Sequence, residues 1–152
     1  MGDLSKNFSR KEFACPCGCG FDDIDLGLVN NILQPIRDKF GPVHITSGCR
    51  CLLYNRTLKD KRGRRLSKDT SQHVLGKAAD IKVHKEIRIA DGLYDTTSIP
   101  PIEVWRFALL RLSIEASKEL NKTFSGGGLG LYKNFVHIDV RDGRAVRWGR
   151  KR

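Results

Sequence analysis

The sequence predicts an α+β protein in which helices pack on a small antiparallel sheet. Three observations lead there. Between Asp25 and Phe40, Leu28, Ile32 and Ile36 recur every four residues. Val29 and Leu33 widen that stripe into the face of an amphipathic helix. Ala79–Val83 and Phe135–Val140 instead alternate with the period of a strand. A second helix opens at Pro101, a residue suited to a first helical turn, and runs to about Leu120.

The remaining elements follow in order. Asn7 to Glu12 is a short helix start, with Ser9 as N-cap and Glu12 at capping-box spacing. The Cys/Gly/Pro segment Cys15 to Gly20 is loop. Pro35 is expected to kink the first helix and Gly41-Pro42 to stop it. Val43 to Ser47 is a strand that delivers Arg50 from its end, and Tyr54 to Leu58 a short helical turn. Lys59 to Thr70 is a charge-rich loop placed to flank a cleft. In Ala79–Val83 the residues Ala79, Ile81 and Val83 share one face, Asp80 and Lys82 the other. Asp91 to Pro100 reads as irregular. The helix from Pro101 carries Val104, Phe107, Ala108 and Ile114 among charged residues, so it is expected to be partly buried. After the break at Ser125–Gly128, three short antiparallel strands are expected at Leu129–Tyr132, Phe135–Val140 and Ala145–Trp148. Asp142-Gly143 is expected to form the hairpin turn between the last two. No internal repeat shows, and residues 1–152 read as a single domain.

Composition narrows the function classes. Hydrophobic residues make up 39% of the chain, which is not the composition of a disordered segment. No apolar run approaches the roughly 20 residues of a membrane span. The start, Met1 to Asn7, lacks an apolar h-region, so no secretory signal is expected. The formal charge is +11 and uneven: Arg56–Asp69 and Arg141–Arg152 each carry a net +5. Such patches attract polyanions, and bacterial wall polymers qualify as well as nucleic acid. Nucleic acid is the weaker candidate, because Lys59–Lys68 has none of the aromatic platforms that single strands stack on. The five cysteines, an odd number, argue against a disulfide framework. Cys15-x-Cys17-x-Cys19 is not the spacing of zinc ribbons. With Cys49-x-Cys51 it gathers a second metal only if the fold brings the two together; buried or idle thiols are the expectation.

The chemistry concentrates in Ser71-Gln72-His73-Val74-Leu75-Gly76-Lys77-Ala78-Ala79-Asp80, followed far downstream by His137 in a strand. Two histidines and one carboxylate make three protein ligands, the number a catalytic zinc uses while keeping one position open. Ser71, His73, Gly76, Ala78 and Asp80 resemble the S-x-H-x-x-G-x-A-x-D motif of the zinc D-alanyl-D-alanine carboxypeptidases. That family also includes phage endolysins and the zinc-binding hedgehog signalling domain. Ser47-Gly48-Cys49-Arg50 is similar to its S-G-x-R segment, and His137 stands where its third ligand is expected. The resemblance runs from about Phe8 to Trp148 and implies a hedgehog/DD-peptidase fold.

It further implies that His73, Asp80 and His137 hold Zn2+, which polarises water so that hydroxide is available near neutral pH. Arg50 then holds a substrate carboxylate or developing oxyanion through its guanidinium fork, or else serves a structural salt bridge. Ser71, Gln72 and Tyr132 are candidates for hydrogen bonds to substrate. The general base departs from the pattern. Relatives place a carboxylate three residues before the last histidine, or a second histidine two before; here those positions hold Asn134 and Phe135. Asp139, on the same strand face as His137, is the substitute taken as catalytic base. It can equally orient His137 or pair with Arg141. His44 and His84 are expected to lie outside the site. The function implied is a zinc peptidase cutting a bond that involves a D-amino acid in bacterial peptidoglycan. It would be a monomeric phage endolysin made in the host cytoplasm and released to the wall. The alternative is a non-catalytic zinc-binding interaction domain.

Overall fold

In the computed structural model, which describes residues 2–118 and 123–149, the first and last helices pack on one face of a mixed six-stranded sheet. The strands are β1 (Val43–Ser47), β2 (Ala78–Ala90), β3 (Leu93–Ser98), β4 (Gly128–Leu131), β5 (Val136–Asp139) and β6 (Val146–Gly149). Their order is β1-β2-β5-β4-β6, with β3 on the outer half of β2. The helices are α1 (Gln34–Phe40), entered through a π-wound stretch Leu28–Leu33, α2 (Leu52–Thr57) and α3 (Pro101–Lys118). A 3-10 turn, Arg10–Phe13, begins after Ser9, whose backbone N–H donates to Glu12 Oε1 at 2.7 Å. No helix among the described residues is long and apolar enough to cross a membrane.

The apolar stripe of the first helix is buried as its period predicts. Leu28, Val29, Ile32, Leu33 and Ile36 join Val104, Ala108 and Leu112 of α3 against Ile81, Val83, Leu129, Val136 and Ile138 of the sheet. In α3 the fully buried third position is Leu112 rather than Ile114, because 104, 108 and 112 keep the four-residue spacing. The predicted last two residues of that helix, 119 and 120, lie outside the described residues. Pro35 has no N–H for the carbonyl of Asn31, four residues back. That carbonyl instead accepts Arg111 of α3, at 3.1 and 3.2 Å, tying the two helices together.

Two expectations about the sheet change. Asp91–Pro100 is not irregular: β2 runs on past the core, and β3 returns along it from Asp91-Gly92 with Ala90 opposite Leu93. Asp142-Gly143, by contrast, is no hairpin turn. Strand β5 already lies between β2 and β4, so it has no free edge. The chain after β5 therefore crosses to the outer edge of β4 and pairs with it in parallel, Gly128 opposite Val146 and Gly130 opposite Trp148. The sheet is mixed for this reason, while its other four pairings are antiparallel.

Candidate metal centre and substrate cleft

Asp80 on β2 and His137 on β5 are directly opposed in the antiparallel register. Opposed residues stand only about 4.5–5.5 Å apart at Cβ and share a sheet face. Val136 and Ile138, one residue either side of His137, point to the core instead. His73 reaches the same face from the turns before β2, anchored by its Nδ1, which donates to the Gly48 carbonyl at 2.7 Å. A carbonyl can only accept, so Nδ1 carries a proton and Nε2 is the nitrogen turned toward the other two residues. That Nε2 lies 3.3 Å from Asp80 Oδ1, and His137 Nδ1 lies 2.8 Å from the same oxygen.

His73, Asp80 and His137 thus offer one ligand atom each, all within 4.8 Å of one another, and all three residues are buried. Acceptors converging in a buried space need a cation or a proton between them. Two imidazole nitrogens and one carboxylate oxygen form a donor set suited to zinc. Without an ion the compensation falls on His137. Burial alone would lower its pKa, but the hydrogen bonds to Asp139 and Asp80 outweigh that and raise it. For Asp80, burial works to raise the pKa, and the two histidines more than reverse it, holding the carboxyl far below the usual range.

Asp139 is completely buried, and its oxygens are spoken for. Oδ1 accepts the Arg141 backbone N–H at 3.1 Å and Nε at 2.7 Å. Oδ2 accepts the other arm of the Arg141 guanidinium at 2.5 Å and His137 Nε2 at 2.8 Å. Those four donors fill the four lone-pair directions of a carboxylate. Arg141 and His137 overcome the upward push of burial and hold this carboxyl well below the usual range, where it is a poor proton acceptor. In the structure Asp139 faces His137 and Arg141, the contacts that the orienting alternative requires.

The three residues open onto a cleft of about 500 Å3. Arg50 lines it, held by Ser47 Oγ at 2.9 Å and Asn55 Oδ1 at 3.4 Å, with one guanidinium nitrogen 3.5 Å from Asp80 Oδ2. Burial lowers its pKa, although guanidinium remains charged at any physiological pH. Ser71, Gln72 and Tyr132 also line the cleft. The Ser71 hydroxyl accepts the His73 backbone N–H at 3.3 Å, a local turn contact. The Gln72 side-chain oxygen is buried with no partner among the described residues. Tyr132 stacks on Phe135 at 4.3 Å, and its hydroxyl accepts the Trp148 indole N–H at 3.0 Å. The Lys59–Thr70 loop does flank the cleft, through Leu66, Ser67, Lys68 and Thr70. Asn134 lines a different depression beside Ser98 and Pro101, whereas Phe135 does face the cleft. His44 and His84 are on β1 and β2 outside the site.

Several contributors escape a reading of the sequence. Asn55 is fully buried and bridges Arg50 to the Lys68 carbonyl. Trp148 lies 5.1 Å from the His137 ring and under Arg141, which stands 5.7 Å from its indole. Gly128 and Gly130 of β4 make room beneath them: an added Cβ would stand 2.2 Å from Asp139 Oδ2 or 2.4 Å from the Trp148 ring. A G-x-G inside a short strand is a legible sign of such close approach.

An α+β fold with a buried His/Asp/His cluster at the floor of an open cleft is the arrangement of a metal-dependent hydrolase. The chain matches the peptidase M15 model over residues 6–93, and it belongs to that family of zinc peptidases. The matched region contains His73 and Asp80 and ends before His137. No curated protein and no solved structure matches the chain.

Proposed function

We propose that the protein is a zinc-dependent peptidoglycan peptidase cutting a bond that involves a D-amino acid, used as a phage endolysin. The observation that carries this reading is the register opposition of Asp80 and His137 with His73 closing the set, on the floor of an open cleft. Zinc held there supplies Lewis acidity toward water and the scissile carbonyl. Around it the chain's own groups have separate tasks. Gly48 and Asp139 fix the tautomers of His73 and His137, so that each presents a lone pair. Arg50, braced by Ser47 and Asn55, offers a guanidinium to a substrate carboxylate or oxyanion. The unpartnered Gln72 side-chain oxygen and the Tyr132 hydroxyl are suited to the peptide backbone of a stem peptide. Lys68 and the basic loop favour an anionic wall polymer.

A non-catalytic zinc-binding interaction domain is the second reading, and one observation favours it. Asp80 is the only carboxylate lining the cleft among the described residues, and Asp139 is fully engaged. Digestion of purified peptidoglycan decides between the two. Zinc-loaded protein is expected to release peptides whose masses identify the new terminus, and His73→Ala to release none. Equal release by both proteins, or none by either, rejects the enzymatic reading.

A further inference from the structure

A second cluster, outside the cleft, lies where the N-terminal loop meets the segment after β1. Cys15, Cys17, Cys19 and Cys51 offer sulfurs that all lie within 4.8 Å of one another. Cys15 and Cys17 are 3.4 Å apart, Cys17 and Cys51 3.6 Å. Sulfurs bound at about 2.3 Å around one tetrahedral ion stand roughly 3.8 Å apart. A disulfide would require about 2.05 Å, and all five cysteines are free thiols. Iron–sulfur clusters spread their cysteines over several irons, so four sulfurs this close suit a single ion better.

The loop is bent to produce this convergence. In an extended strand, residues two apart stand about 6.5–7 Å from each other on one face. Gly18 and Gly20 have φ of 81° and 85°, and nothing lies within 4 Å of where their Cβ atoms would be. Packing therefore does not explain these glycines; turning the chain after Cys17 and Cys19 does. The Cys15 N–H closes the loop on the Phe21 carbonyl at 2.8 Å. Backbone donors point at the sulfurs: Cys51 N–H at Cys15 Sγ and Tyr54 N–H at Cys51 Sγ, both at 3.3 Å. Burial pushes the Cys15 thiol up, but the backbone N–H groups of Cys17 and Cys51 bring it down to about 7, toward the thiolate that a metal needs. Cys17 and Cys19 are exposed, which is not where thiols serve as packing groups. Cys49 stands apart, fully buried in the core.

We propose that Cys15, Cys17, Cys19 and Cys51 hold a second, structural zinc as a tetrathiolate. The ion staples the N-terminal loop to Gly48–Cys51, the segment whose Gly48 carbonyl fixes His73 and whose Arg50 lines the cleft. Its closed, four-protein-ligand shell leaves no open position for substrate.

A mercurial thiol reagent strips zinc from thiolates and spares imidazole–carboxylate sites, so it tests the assignment on folded wild-type protein. With a chromophoric chelator present, one zinc per chain is expected to be released as these four thiols react. His73→Ala protein should release the same one. Loaded with cobalt, that variant should show intense thiolate-to-cobalt charge transfer in the near ultraviolet. Cys17→Ser, at an exposed position, should lose this zinc while the His73, Asp80 and His137 site keeps its own. No zinc released by the mercurial, or a cobalt spectrum without charge transfer, overturns the proposal, as does native mass spectrometry showing these cysteines as disulfides.

Discussion

His137 Nε2 and Asp139 Oδ2 are joined at 2.8 Å, so the imidazole turns its Nδ1, not its Nε2, toward Asp80 and His73. Asp139 thereby selects the nitrogen that His137 would offer to a metal in the proposed site. Asp139→Asn should weaken zinc by roughly 10–100-fold, the usual cost of losing a partner that orients a ligand. At saturating zinc, turnover should recover to within a few-fold of wild type. Competition against a chromophoric chelator and kcat on the same protein check both. Normal zinc affinity with turnover down roughly 10²–10⁴-fold would instead mark Asp139 as the general base.

Gly128 is the floor on which that carboxylate rests. Gly128→Ala places a methyl group within 2.2 Å of Asp139 Oδ2, and the strand is flanked on both sides, so the backbone cannot yield freely. A loss of about 1–3 kcal/mol in stability is expected, as for other overpacked sites. Zinc affinity should fall with it, because the displaced group holds His137. Denaturant unfolding of the zinc-free protein and chelator competition measure the two effects.

In the proposed site, zinc and a proton would compete for His137. Its pKa is raised in the folded, metal-free protein by Asp139 and Asp80. The stability this contributes is fully present below about pH 6.5, the ordinary histidine value, and is lost as pH rises through the folded value. Zinc affinity should move the other way, increasing with pH over that interval as Nδ1 gives up its proton. Thermal unfolding of the metal-free protein against pH, beside zinc titrations in the same buffers, reads both trends. Asp139 adds an acid limit: its depressed pKa gives stability that is present above about pH 3.9 and lost as pH falls below it.

The basic loop predicts a salt effect confined to large substrates. Arg56 and Arg65 pair with Asp69, and Arg64 with Asp60, but the Arg56–Asp69 segment keeps its net +5 beside the cleft. The second basic stretch is described only to Gly149; its residues 150–152 lie outside the described residues. If the charge docks the protein on an anionic wall, raising salt toward ~0.5 M, where screening shortens to a few ångströms, should slow lysis several-fold. Hydrolysis of a small soluble peptide should change much less. Equal salt sensitivity in a turbidity assay and a peptide assay removes the docking role.

Much of this protein is written locally in its chain. The four-residue spacing of Leu28, Ile32 and Ile36 determines which helix face is buried, and strand alternation puts His137 and Asp139 on the face opposite Ile138. The stretch from Ser71 to Asp80 marks the centre of the chemistry through its resemblance to a family motif, which like a period is local in the chain. Tertiary structure alone decided the rest. Asp91-Gly92 and Asp142-Gly143 are the same dipeptide, yet only the first makes a two-residue hairpin, because β2 had a free edge there and β5 had none. That Arg141 and His137 occupy the lone pairs of Asp139 shows only in the folded chain. Cys51 joins Cys15, Cys17 and Cys19 from more than thirty residues away. Which edges are free, which acceptors are already filled and which distant thiols meet are set by contacts between segments remote in the chain, and local spacing carries no record of them.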